Sequence, residues 1–252
     1  MTDKSALFDF VVALADDALV LGHRLSEWSG HAPTLEQDIA LSNLGLDLIG
    51  QARLFYTYAG EIEGAGRNED DLAYFRDQGQ YRNLLLLELP IGDFAQTMAR
   101  QFLYSAFLEP YFAAMMRSTD VRLAEIASKA VKEMTYHVRH TAEWVIRLGD
   151  GTEESQKRLV SALDDLWCYT GEMFVETASE RLLVTMGIAP DKAEIKSQWL
   201  TRVGRVLTEA TVETPRDGRM QSGGRSGRHT EHLGHLLGEM QVLARSHPGA
   251  VW

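Results

Sequence analysis

What most limits the fold of this chain is the recurrence of apolar residues every three or four positions through blocks of about 25 residues. In the first block Leu7, Phe10, Val11, Leu14, Ala18, Leu21, Leu25 and Trp28 line one face of a single helix that should stop at Ser29-Gly30, ahead of Pro33. Thr34 then stands where an N-cap would, with Gln37 three residues on. That is a capping-box pattern, and it opens a second helix carrying Leu41, Leu44, Leu48, Ala52 and Phe55 to about Glu63.

Residues 64–80 hold Gly64, Gly66, Gly79 and the acidic cluster Glu69-Asp70-Asp71, and read as a solvated connection with a short helical piece around Leu72–Phe75. A third helix runs after Pro90 and Gly92 to about Arg117, with Pro110 inside it, and a fourth from about Val121 to Leu148. The spacing predicts a fifth from Glu153 to about Met186, a sixth over about Asp191–Thr211, and a last short one opened by Thr230. Nothing alternates with a period of two, so the chain is read as all-α. Helices of this length reach about 40–45 Å, and four of them make a long four-helix bundle. One domain over 1–252 is expected, with a core at about 5–150 and two or three appended C-terminal helices within about 153–246.

Charge and cysteine usage narrow the function. The 25 Lys+Arg against 36 Asp+Glu leave a net charge of −11, which opposes binding to a phosphate backbone, so nucleic acid is not an expected partner. Cys168 is the single cysteine, which excludes an intrachain disulfide and a cysteine-built metal site and fits a cytoplasmic setting. The first apolar stretch is interrupted by Asp9, Asp16 and Asp17, unlike a signal peptide, and no uncharged run reaches the roughly 18 residues of a membrane span.

Four long helices invite a search for a carboxylate-bridged di-metal site, in which two helices carry Glu-x-x-His so that both ligands share a face. The pattern is degenerate here. Asp17 lies inside an apolar stripe, Asp47 has Gly50 at i+3, and Glu133 has Tyr136 at i+3 with histidine displaced to His137. On the third helix the central carboxylate is Glu109, beside Pro110. Glycine offers no ligand and a neutral phenol is a poor one, so Asp17, Asp47, Glu133 and Tyr136 read first as a buried hydrogen-bonded layer. A metal site from Glu133, His137 and His140, which share a face, is the competing reading.

His23 and His31 read as surface or capping groups. Glu172, Glu176 and Glu180 recur every four residues and read as a solvated outer face. His229, His232 and His235, with Glu231 and Glu239, are read as capping and surface groups, because a spacing of three drifts around a helix. The loop 215–229 places Arg216, Arg219, Arg225 and Arg228 among glycines, which points to ordering by contacts between subunits, to simple flexibility, or to a partner's acidic surface or CoA phosphates.

Longer stretches carry a resemblance. Leu19–Glu36 (LVLGHRLSEWSGHAPTLE), Asp38–Arg53 (DIALSNLGLDLIGQAR), Lys132–Arg139 (KEMTYHVR) and His229–Gln241 (HTEHLGHLLGEMQ) together closely resemble the non-catalytic, PaaC-type structural subunits of phenylacetyl-CoA epoxidases, over nearly the whole chain. The resemblance implies a ferritin-like fold and a place in a multicomponent bacterial monooxygenase of aerobic phenylacetate catabolism. It implies that a related catalytic subunit holds the di-iron centre and forms the ring-1,2-epoxide, with electrons from NADPH through a reductase holding FAD and an iron–sulfur cluster. This chain would then hold no catalytic residue, cofactor or metal, would pair with the catalytic subunit, and would be able to form a homodimer when isolated. A self-sufficient ferritin-like metalloenzyme with an unconventional site around Glu133 and His137 is the alternative.

Overall fold

A computed structural model describes residues 3–250. Its α-helices are α1 Asp3–Ser26, α2 Leu35–Glu63, α3 Glu69–Tyr74, α4 Leu85–Glu88, α5 Phe94–Met115, α6 Val121–Gly149, α7 Glu153–Thr170, α8 Ala178–Thr185, α9 Lys192–Glu209 and α10 Glu231–Ser246. Three short 3-10 turns lie at Gln78–Gln80, Gly171–Phe174 and Gly224–Ser226, and the described residues contain no strand. The fold is all-α, and its four longest helices, α1, α2, α5 and α6, have 24, 29, 22 and 29 residues, the inventory of a ferritin-like bundle.

Local chemistry sets the helix ends. Thr34 Oγ1 accepts from the Gln37 amide at 3.4 Å, which is one arm of the expected capping box; the other is not made, and Gln37 Oε1 is buried without a hydrogen bond. Gly64 closes α2 at φ 70°, a left-handed conformation that glycine adopts without steric cost. The leucine run from Leu84 enters the single turn α4, for which Leu84 is the N-cap.

The chain divides into two compact units. One joins residues 1–90 to 222–252; the other is the continuous stretch 91–221. In the first, α1 packs along α2, and α3, α4 and α10 close around them. Gly22 and Gly45 let α1 and α2 approach, since a β-carbon on Gly45 would sit 3.3 Å from the Gly22 carbonyl. In the second, α5 packs along α6, with α7 and α9 against both.

The single fifth helix expected over 153–186 is two helices. At Gly171, where a β-carbon would lie 2.7 Å from Met220 Cγ, the α-helix gives way to the 3-10 turn Gly171–Phe174, and the chain becomes extended at Val175. It restarts at Thr177, whose hydroxyl caps the Glu180 amide at 3.1 Å while Glu180 Oε2 accepts from the Thr177 amide at 2.7 Å.

Candidate functional site

Three buried acids organise the discontinuous unit. Adjacent residues on a helix point about 100° apart, so Asp16 and Asp17 on α1 reach different neighbours. Asp16, fully buried, accepts from the Tyr56 hydroxyl at 2.5 Å, from the Arg82 amide at 2.7 Å and from both terminal nitrogens of Arg76. Arg76 lies 4.4 Å from the centre of the Tyr81 ring. Burial, reinforced by Asp16, pushes the Tyr56 phenol well above its usual range, so it stays a donor.

Asp17 accepts from Arg225 Nη1 at 2.8 Å, Arg225 Nη2 at 2.6 Å and the Leu84 amide at 2.8 Å. Burial raises the Asp17 carboxyl, and Arg225 opposes that rise. The same arginine donates to the carbonyls of Ala13 at 3.3 Å and Arg82 at 2.5 Å. Arg225 therefore points into the chain's own interior, where the carboxylate on α1 requires a cation. Arg216, Arg219 and Arg228 are exposed, and Arg228 Nε donates to Ser226 Oγ at 3.3 Å.

The third acid, Glu88, sits in a run of leucines and accepts from Asn83 Nδ2 at 2.8 Å and the Thr230 amide at 2.5 Å. His229 Nδ1 meets it at 2.8 Å, and His229 Nε2 meets the Tyr81 carbonyl at 3.0 Å. Both ring nitrogens thus face acceptors, an arrangement that favours the imidazolium, which donates from both. Burial alone would lower its pKa, but the carboxylate and the carbonyl raise it above the ordinary histidine value. Arg24 caps the same corner, donating to the carbonyls of Glu88 at 2.7 Å and His232 at 3.1 Å. The surface role expected of His229 is overturned, since its side chain is wholly covered; His235 is exposed and His232 half-buried. Asp47 on α2 is half-buried, and at Gly50 a β-carbon would meet nothing within 4 Å.

In the continuous unit the degenerate metal positions are likewise engaged by the chain itself. Glu109 pairs with Arg202 and accepts from Thr135 Oγ1 at 3.1 Å. Glu133 lies 3.8 Å from Lys129 Nζ. His137, fully buried, has Nδ1 3.1 Å from Gln101 Nε2. Tyr136 is 39% exposed, so it is not part of a buried layer; it stacks on His140 with ring centres 5.8 Å apart. Burial lowers the His140 pKa. The glutamates expected on one solvated face are separated by the helix break: Glu172 is buried in a 3-10 turn, and Glu180 is buried with Lys192 Nζ at 2.7 Å.

This donor set does not fit a di-metal centre. Among the described residues no three His, Cys, Asp or Glu side chains are grouped to hold an ion, and glycine and an exposed phenol stand where imidazoles would be needed. Nor is any described helix long and apolar enough to cross a membrane. Signals for the buried pairs did exist in the sequence. An isolated Glu88 among five leucines, and Asp16 beside Asp17 in an apolar helix, each require a buried partner.

Residues 1–252 match the family described as phenylacetic acid catabolic protein. A similar protein is the C subunit of the 1,2-phenylacetyl-CoA epoxidase of Escherichia coli strain K12, which is 45% identical over 243 residues, 96% of this chain and 98% of that one. The chain accordingly belongs to the phenylacetic acid catabolic protein family.

Proposed function

We propose that this chain is a metal-free structural subunit of a cytoplasmic, multicomponent di-iron monooxygenase that epoxidises the aromatic ring of phenylacetyl-CoA in aerobic phenylacetate catabolism. The catalytic subunit holds the iron, and NADPH, FAD and an iron–sulfur cluster serve the reductase; this chain supplies no cofactor. One observation carries the reading: at the positions where a ferritin-like oxygenase needs free carboxylates and imidazoles, Asp17, Glu109 and Glu133 face Arg225, Arg202 and Lys129, while Gly50 and Tyr136 replace ligands. A carboxylate hydrogen-bonded to a guanidinium, as Asp17 and Glu109 are, has lone pairs occupied and its charge offset, so it holds an added cation poorly, whereas Glu133, 3.8 Å from Lys129, is only partly offset.

A helical subunit whose buried charges are matched within the chain suits a partner that fixes the orientation of a catalytic bundle and keeps water from its acyl-CoA site. The similarity to an epoxidase subunit over nearly the full length of both chains supports the placement in such a complex. The test combines iron analysis of the purified chain with assay alone and with the catalytic subunit. Iron far below stoichiometric, no turnover alone and co-purification with an iron-bearing partner are expected. Stoichiometric iron that Glu133→Ala removes without unfolding would replace this reading by the self-sufficient metalloenzyme.

A further inference from the structure

The outer face of α2 has a composition that the interior does not explain. Leu35, Ile39 and Leu46 are 73%, 54% and 65% exposed, and at 100° per residue they fall within about 40° of one another around the helix. Gly50 continues the stripe and leaves the backbone bare, since a β-carbon there would meet nothing within 4 Å. Among the described residues no other helix lines up three strongly exposed apolar side chains in this way. An apolar stripe bordered by polar groups marks an interface.

The border identifies the occupant. Glu36, Asp47 and Glu61 run along one flank of the stripe, and the helix's one cation, Arg53, falls in line with Leu35 and pairs with Glu69 at 3.2 Å. If two copies of α2 met antiparallel across a two-fold axis, acidic flank would face acidic flank. Parallel pairing would offer that flank no further cation, since Arg53 is the one cation of α2 and is paired with Glu69, and each chain carries a net charge of −11. Self-association through this face is therefore opposed by charge, whereas a basic partner is steered onto it.

We propose that α2 docks an amphipathic helix of the catalytic subunit, one whose own apolar stripe is bordered by lysine or arginine. This rests on the reading of the chain as a subunit of the oxygenase. The full-length chain is titrated against the purified catalytic subunit, as wild type, as Ile39→Asp/Leu46→Asp, as Glu36→Lys/Glu61→Lys, and as Val160→Asp, which alters an exposed valine on α7. The aspartate pair should weaken binding at least tenfold with the melting temperature kept, since central apolar contacts dominate such interfaces. The lysine pair, which leaves the apolar stripe intact, should weaken it about threefold and flatten its salt dependence. Val160→Asp should bind as wild type.

Wild-type affinity in both double variants overturns the proposed face while leaving the subunit reading standing. A wild-type chain that binds no component of the complex overturns both. A homodimer of the isolated chain that Leu46→Asp dissolves overturns the choice of a basic partner.

Discussion

The two units tie remote parts of the chain together by different chemistry. In the discontinuous unit the ties are buried ion pairs: Asp16 with Arg76, Asp17 with Arg225 and Glu88 with His229, at sequence separations of 60, 208 and 141. In the continuous unit the buried pair Glu180–Lys192 is short-range, the long-range pair Glu109–Arg202, 93 residues apart, is partly exposed, and remote segments meet mainly through rings. Trp199 lies 5.5 Å from Trp167 and 5.3 Å from Phe174, while Phe174 lies 5.5 Å from Phe107. The indole of Trp199 also donates to Leu103 O at 2.8 Å, and that of Trp167 to Asp217 Oδ1 at 2.9 Å. A unit assembled from both ends of the chain is thus held by charge that must be matched. A unit built from one stretch is held by apolar area, which tolerates mismatch gradually.

The largest expected effect tests that asymmetry directly. Arg76→Met leaves Asp16 buried without its cation and should cost about 3–5 kcal/mol of stability. Arg202→Met removes the partner of a partly exposed Glu109 and should cost about 1 kcal/mol or less. Urea unfolding of the two variants decides the matter, and equal losses would break the comparison. Adding Asp16→Asn to Arg76→Met should recover most of the deficit, because the penalty lies in the uncompensated charge rather than in the missing contact.

A middle-sized effect concerns pH. Because the folded chain raises the His229 pKa, the stability it gains is complete below the unfolded histidine value of about 6.5 and is lost as pH rises through the folded value. Asp17, also raised, acts in the same direction at lower pH. Unfolding midpoints for wild type should therefore fall as pH rises above about 6.5, while His229→Gln should flatten the curve. At the acid end that variant should lose about 1.5–3 kcal/mol, the worth of a charge-assisted hydrogen bond. Parallel curves would show that His229 is not the titrating group.

Helix content was legible in the sequence because periodicity and caps are local. The Asp120 side chain accepts from the Leu123 amide at 3.0 Å and starts α6 where the pattern begins. The break after Thr170 was not, since the contact of Gly171 with Met220 joins residues far apart in sequence, although Thr177-x-x-Glu180 already spelled a fresh helix start. At the candidate site, the missing ligands at Gly50 and Tyr136 could be read directly. The partners could not, because nothing local relates Arg225 to Asp17 across 208 residues. Asp16 and Glu88 escaped for a different reason: neither falls at metal-ligand spacing, and the only signal each carries is an apolar neighbourhood.

The smallest effect separates the two kinds of acid most finely. Glu133 occupies a would-be ligand position, yet its side chain is only 18% exposed while that of its partner Lys129 is 64% exposed, at 3.8 Å. The lysine also precedes the glutamate by four residues, which is the weaker orientation on a helix. Lys129→Ala should therefore cost no more than a few tenths of a kcal/mol in thermal or urea unfolding. A loss above about 1.5 kcal/mol would mean that Glu133 depends on its cation as Asp16 does, and that the continuous unit too is closed by matched charge.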